Sequence, residues 1–294
     1  MRWKKVTLVG VGLLGGSLGL ALRRRGLADC VMGYVRRPSS VAECLRLKAV
    51  HIASLELDSA VADADLVVLC TPISQMRPLV ERMLKALKPG AIVTDIGSAK
   101  QSVVRELEPL VARAGGHFIG SHPMAGSEKT GVAAARSDLF SAAVCVVTPG
   151  ANSNKGALRK VEQFWKSVGA RVLRLSPEAH DDLVSRSSHL PHVVAAQLAN
   201  LVLSPEHPKA QALLCANGFK DTTRIASGSP EMWRDIAVAN RKNIGRALAS
   251  FIKELNYFRR VLNSSDEKAL TRFFELAKQR RDQWSQRAGS CSAE

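Results

Sequence analysis

Aromatic residues and carboxylates are scarce in this 294-residue chain. Phe, Trp and Tyr make up 5% of it, and 26 Asp and Glu stand against 42 Lys and Arg, a formal net charge of +16. A basic balance of this size raises the question of nucleic-acid binding. The cations, however, are spread along the chain with no dense Lys/Arg block, and few aromatics are present to stack on bases. No nucleic-acid partner is therefore expected, and the positive field suits the attraction of small anions. No apolar run reaches the roughly 18 residues of a membrane-spanning helix, so no membrane association is expected. The six cysteines (Cys30, Cys44, Cys70, Cys145, Cys215, Cys291) form no C-x-x-C pair and show no paired spacing. That argues against a disulfide framework and for mostly small, reduced core residues in a cytoplasmic protein. Arg2, Lys4 and Lys5 do not open a signal peptide, because the strand after them carries the first glycine motif and cleavage would destroy the fold. Internal repeats and low-complexity linkers are also absent.

What is present begins with that strand. Lys5 to Val11 (K-V-T-L-V-G-V) is apolar and β-branched, as a buried parallel strand requires. It leads into Gly10-Val11-Gly12-Leu13-Leu14-Gly15-Gly16, then into a helix closed at Gly26. Strand, G-x-G-x-x-G, helix is the order of a dinucleotide site. Gly10 makes the tight turn, Gly12 lets the backbone approach a pyrophosphate, and Gly15 lets helix pack on strand. Leu13 and Leu14 then sit at the helix start, whose N–H groups face the phosphates. A second strand, Cys30 to Val35, ends at the position where an acidic residue would hold the ribose 2′-hydroxyl of NAD. Here Val35 is followed by Arg36, Arg37, Pro38 and Ser39. No carboxylate repels a 2′-phosphate, and two guanidinium groups with the two hydroxyls of Ser39 and Ser40 are placed to bind one, so NADP is favoured over NAD.

Further strands are predicted at Asp65–Cys70, Ala91–Ile96, Phe118–Gly120, Ala142–Thr148 and Arg171–Leu175. Helices are predicted over 40–48, 74–87, from Lys100 to Arg113, and 155–168. Thr71-Pro72 follows a strand end on the face where such sheets bind ligands. The alternation predicts a Rossmann-type, doubly wound parallel sheet over residues 1–175. From residue 176 to 294 the pattern turns helical: 178–203, 210–216, 231–262 and 267–287. Ile244, Leu248, Phe251, Ile252, Leu255 and Phe258 give one helix more apolar surface than it can cover alone, which predicts a homodimer. Residues 289–294 are expected to fray.

Several polar groups stand where a pure binding fold has no use for them. Ser98 follows a strand end. His122 lies in a Gly/Ser-flanked loop, as a general base or as a capping residue. His180-Asp181 opens the helical region. His189 and His192, three apart, lack the third ligand a metal site needs. Pro191 between them should kink its helix. Arg224 is either a ligand clamp or a surface partner of Asp221. Trp233 is either a core aromatic or a substrate contact. His51, His117 and His207 are read as surface or structural.

Taken in order, G-V-G-L-L-G-G-S-L, D-I-G-S-A-K, S-H-P-M-A-G-S-E-K-T-G, H-D with S-S-H-L-P-H, G-F-K-D-T-T-R-I-A and S-P-E-M-W-R-D-I resemble the prephenate/arogenate (cyclohexadienyl) dehydrogenase family of tyrosine biosynthesis. The resemblance spans residues 6 to about 245. It implies oxidative decarboxylation of a small anionic cyclohexadienol, prephenate or arogenate, with hydride passing to NAD(P)+. It implies His122 as the acceptor of the substrate hydroxyl proton, and Ser98 as a partner of that hydroxyl that orients His122. Arg224 would clamp a substrate carboxylate and His192 would position the substrate. Ser127, Glu128 and Trp233 would line or gate the pocket, and Asp181 would orient a neighbouring group. The chain leaves no room for a chorismate mutase or regulatory ACT domain, so allosteric inhibition by tyrosine is not expected. Two other readings stay open. A two-domain hydroxy-acid dehydrogenase would use a lysine where this chain has histidines. A non-catalytic NADP-sensing regulator would bind cofactor without turnover.

Overall fold

From Val6 to Val9 the strand β1 (Trp3–Val9) is buried on both faces, and its alternation shows why. Val6 and Leu8 enter one apolar cluster while Val9 enters another, and in β4 (Leu66–Leu69) Leu66 and Val68 divide from Val67 and Leu69 in the same way. A sheet whose successive side chains both need cover must be sandwiched by helices. The computed structural model describes residues 2–290, with side chains through residue 286; residues 291–294, with Cys291, lie outside the described residues.

Eight strands make one sheet in the order β3-β2-β1-β4-β5-β6-β7-β8. The others are β2 (Ala28–Tyr34), β3 (Ile52–Ser54), β5 (Ile92–Asp95), β6 (His117–Pro123), β7 (Val144–Thr148) and β8 (Arg171–Arg174). Between them run α1 (Leu13–Arg24), α2 (Pro38–Arg46), α3 (Leu57–Val61), α4 (Ile73–Met83), α5 (Gln101–Arg113) and α6 (Lys155–Ser167). The order reverses beside β1, which opens a crevice at the carboxyl ends of β1 and β4.

The sheet departs from an all-parallel one at a single pairing. β6 and β7 are antiparallel, with His122 opposite Val146 and Pro123 opposite Cys145, whereas β7 and β8 are parallel. That pairing carries β6 on through Pro123, so His122 sits on a strand rather than in the expected loop. Its backbone is held by a ladder, which gives the ring a defined direction. β3 and α3, too short to show a period, were not expected.

The helical part continues with α7 (Pro177–Val184), α8 (Leu190–Val202), α9 (Lys209–Leu213), α10 (Asn217–Thr223) and α11 (Pro230–Ala239). The stretch expected as one helix over 178–203 is interrupted by a π-helical turn, Ser185–His189. Pro191, in the first turn of α8, donates no N–H and crowds the carbonyl four residues back, so the ladder widens just before it. The helix expected over 231–262 breaks at Asn240, whose side chain donates to the Asp181 carbonyl at 2.8 Å.

The residues up to Arg241 form one compact unit and those from Lys242 a second. The second unit is built from α12 (Arg241–Asn263) and α13 (Glu267–Ser290). Phe258 meets Phe273 with ring centroids 4.7 Å apart, and Phe273 meets Phe274 at 5.2 Å, which ties the two helices together. Ile252 and Leu255 stay about half exposed. No helix among the described residues is long and apolar enough to cross a membrane. The five described cysteines are free thiols, with Cys44 and Cys145 buried.

Candidate active site

The glycine turn sits at the crevice beside β1. Gly10 has φ +96°, a conformation that L side chains rarely adopt. A Cβ on Gly15 would lie 2.1 Å from the Gly10 carbonyl oxygen, so only glycine lets α1 cross there. A Cβ on Gly12 would meet nothing within 4 Å, and Gly12 caps α1 without any side-chain hydrogen bond. The turn thus stays open at Gly12, beside the first N–H groups of α1. Leu13 and Leu14 flank that opening, half-buried. Thr71, after β4, has a buried hydroxyl with no partner, and its methyl lies beside Gly10; Pro72 caps α4. A cradle that no side chain fills and a buried hydroxyl without a partner fit a dinucleotide. At the end of β2, Val35 is buried while Arg36, Arg37 and Ser39 are exposed at the start of α2.

Strands β5 and β6 bring the second half of the site to the same edge of the sheet. His122, 7% exposed, points Nδ1 at His180 Nε2 at 2.8 Å. His180 in turn sets Nδ1 against Asp181 Oδ1 at 2.8 Å, and both are buried. Asp181 also receives the N–H groups of Lys100 (2.7 Å) and Gln101 (3.0 Å), so it caps α5 from α7. Beneath this line lies a buried ion pair. The Lys100 ammonium bonds Asp95 and donates to the Ser121 carbonyl at 3.0 Å. Asp95 further accepts from the N–H groups of Gly97 (2.8 Å) and Ser121 (3.1 Å). Ser98, half-buried in this β5–α5 turn, is not the ring's partner; the Nδ1 of His122 meets His180 instead. Asn240 contacts His189 Nδ1 at 3.2 Å, and the buried Nε2 of His189 has no partner.

Burial is the main cause that holds these rings neutral. It pushes the pKa of His122 well below 6.5; a proton on His180 or His189, like the charge of Lys100, would push it lower still. It lowers His180 too, against the pull of Asp181. His189 is lowered to about 4. All three folded-state values lie below the unfolded one. The stability they contribute is therefore present above pH 6.5 and is lost as pH falls toward and through the folded values. For His189 alone, a shift from 6.5 to about 4 corresponds to about 3 kcal/mol. Thermal melts should show Tm falling steeply as pH drops from 6.5 toward 4, and a flat Tm over that window would contradict the burial of these rings.

His192 and Trp233 stack at 3.7 Å between centroids. His192 Nδ1–H donates to the Ser188 carbonyl at 3.0 Å, which leaves Nε2 for a ligand, and the buried indole N–H of Trp233 has no partner. Arg224 pairs with Glu128 at 3.3 Å rather than with Asp221, and both groups are partly exposed. Ser127, beside Glu128, is exposed and accepts from Lys129 N–H at 3.2 Å. Asp235 joins α11 to α4 through the Ser74 hydroxyl, at 2.5 Å.

Four participants carried no role in the sequence reading: His180, Lys100, Asp95 and Asn240. His180 was visible as the neighbour of Asp181. Lys100 stood in D-I-G-S-A-K, but nothing local marked its burial.

Residues 18–174 match the family description "Prephenate dehydrogenase, nucleotide-binding domain", and residues 176–276 match "Prephenate dehydrogenase, dimerization domain". The chain is 35% identical to the prephenate dehydrogenase of Bacillus subtilis over 94% of this chain and 75% of that protein. It is 31% identical to the cyclohexadienyl dehydrogenase of Zymomonas mobilis over 95% of both. The crystal structure of Aquifex aeolicus prephenate dehydrogenase in complex with hydroxyphenyl propionate and NAD+ superposes with a TM-score of 0.89, at 32% identity, covering 96% of this chain and 98% of that one. With a glycine cradle for a dinucleotide and a neutral imidazole at one edge of the sheet, the chain belongs to the prephenate/arogenate dehydrogenase family of NAD(P)-dependent oxidoreductases.

Proposed function

We propose that the protein oxidatively decarboxylates prephenate or arogenate in tyrosine biosynthesis, with His122 as the proton acceptor. The observation that carries this is a buried, neutral imidazole at the end of β6, on the same sheet edge as the glycine turn. The substrate's carbinol C–H leaves as hydride, its ring carboxylate leaves as CO2, and the ring becomes aromatic. NAD(P)+ held at the glycine turn supplies the hydride acceptor. Each other requirement falls to a side chain. His122 takes the hydroxyl proton, for which a neutral ring is needed. Ser98, in the turn after β5, donates to the same hydroxyl. His192 and Trp233, stacked as one plate, orient the ring of the substrate. Arg224 leaves Glu128 to clamp a carboxylate, while Ser127 and Glu128 line the opening.

Arg224→Gln is expected to raise the substrate KM about 10- to 100-fold with kcat within a few-fold, as for the loss of a charged hydrogen-bond partner. An unchanged KM rejects the clamp.

For the cofactor we favour NADP. Val35 offers no carboxylate, and Arg36 and Arg37 flank the α2 N-terminus, whose first turn holds no acidic residue. Functionally, residues 1–175 bind nucleotide and residues 176–294 hold substrate and pair two chains through the apolar faces of the second unit. That division is supported by the two family matches. A matrix of prephenate and arogenate against NAD+ and NADP+, followed by nicotinamide absorbance, tests the whole reading. Turnover with NADP+ exceeding that with NAD+ is expected, and no turnover in any cell overturns it.

A further inference from the structure

The reaction places a requirement on His122 that neutrality alone does not meet. A neutral imidazole has one N–H and one lone pair, and only the ring nitrogen with the lone pair can take a proton. Nδ1 of His122 faces His180, so Nε2 is the nitrogen left for a substrate. The ring is competent only as the Nδ1–H tautomer.

We propose that His180, held by Asp181, is the positioning residue that locks His122 in this tautomer. The proton positions follow outward from the carboxylate. Asp181 accepts two backbone N–H groups, Lys100 on Oδ1 and Gln101 on Oδ2, so it meets His180 as an acceptor. The His180 nitrogen facing it at 2.8 Å, Nδ1, therefore carries the proton. In a neutral His180 the lone pair is then on Nε2. Its partner at 2.8 Å, Nδ1 of His122, must donate, and the lone pair of His122 falls on Nε2. Each assignment forces the next, in the way a carboxylate fixes the tautomer of a catalytic imidazole directly; here a second ring stands between.

The surroundings agree. His180 is fully buried and Asp181 nearly so, which keeps water from offering either ring another partner. The rings cross at 68° with centroids 5.1 Å apart, an edge contact that suits an in-plane hydrogen bond. Lys100, His180 and His189 disfavour a charge on His122, while Asp181 and Asp95 pull the other way on His180. Burial disfavours a second proton on either ring, so the lone pair on His122 Nε2 stays free near neutral pH. Asn240, just after α11, bonds the Asp181 carbonyl, which steadies the residue at the root of the line.

This inference rests on the reading of His122 as proton acceptor, but its first test does not. Heteronuclear NMR of the full-length protein labelled at histidine, near neutral pH, reports which ring nitrogen is protonated. The His122 signals are identified by their loss in His122→Gln. The Nδ1–H pattern is expected in the wild type, and an Nε2–H pattern overturns the proposal whether or not any variant folds. In His180→Phe the His122 pattern should change to a mixture or to Nε2–H, and kcat should fall about 100-fold with substrate KM within about threefold. Wild-type kcat in that variant also overturns it. If His122→Asn keeps its turnover while the wild type shows Nδ1–H, the base reading fails and the tautomer assignment stands.

Discussion

His122→Asn is expected to lower kcat about 100-fold or more, with KM for substrate and cofactor within about threefold. Asparagine can still hydrogen-bond a hydroxyl, so ground-state binding is largely preserved. It cannot accept a proton at any pH of interest, and that loss appears only as the O–H bond breaks. The pH profile provides an independent check. Burial and neighbouring charge set the pKa of His122 well below 6.5. The kcat/KM of the wild type should therefore stay level above 6.5 and fall only at markedly lower pH, as the ring protonates. In His122→Asn that acid limb should vanish from whatever activity remains. Near wild-type turnover in the variant would remove His122 from the chemistry.

Lys100→Met is the second large effect, and it is first a matter of stability. Lys100 and Asp95 are both wholly buried and bonded to one another. Taking away the ammonium strands the Asp95 carboxylate in the core, with only the N–H groups of Gly97 and Ser121 left to it. Breaking a buried pair in this way costs about 3–5 kcal/mol, against a total stability of about 5–15 kcal/mol. Tm should drop by about 10 °C or more, measured by calorimetry or circular dichroism at constant pH. The double variant Asp95→Asn, Lys100→Met should be more stable than Lys100→Met, because no charge is then stranded. Lys100 is also one of the charges that hold His122 neutral, so in Lys100→Met the acid limb of activity should move to higher pH. An unchanged Tm in the single variant would mean that the pair is not buried as described.

The parts of this molecule that were legible in the sequence are those governed by local rules. Gly10, Gly12 and Gly15 are legible because a positive φ at Gly10 and a close helix crossing at Gly15 exclude a side chain, while Gly12 keeps the turn open. The parallel strands showed as continuous apolar runs because both their faces are covered. Arg36 and Arg37 were readable because they follow directly on a strand end. His122, Arg224, His192 and Trp233 were singled out as residues, but their settings were not. The Gly and Ser around His122 suit a loop, and only the antiparallel pairing with β7 puts it on a strand. Arg224 has Asp221 three residues away in the chain and pairs with Glu128 of a distant loop instead. The break at Asn240 has no local signal because both flanks keep helical periodicity, and the side chain there bonds a carbonyl some sixty residues upstream.

Backbone geometry and hydrophobic period act over a few residues, so the sequence by itself determined the glycine turn, the alternation of strands and helices, and the kinds of groups available for chemistry. Which imidazole faces which, what carboxylate stands behind them, and that a lysine can be charged in the core were decided only by tertiary structure. Hydrogen bonds and ion pairs depend on distances between atoms that lie far apart in the chain, and those distances exist only once the sheet and the helices have packed.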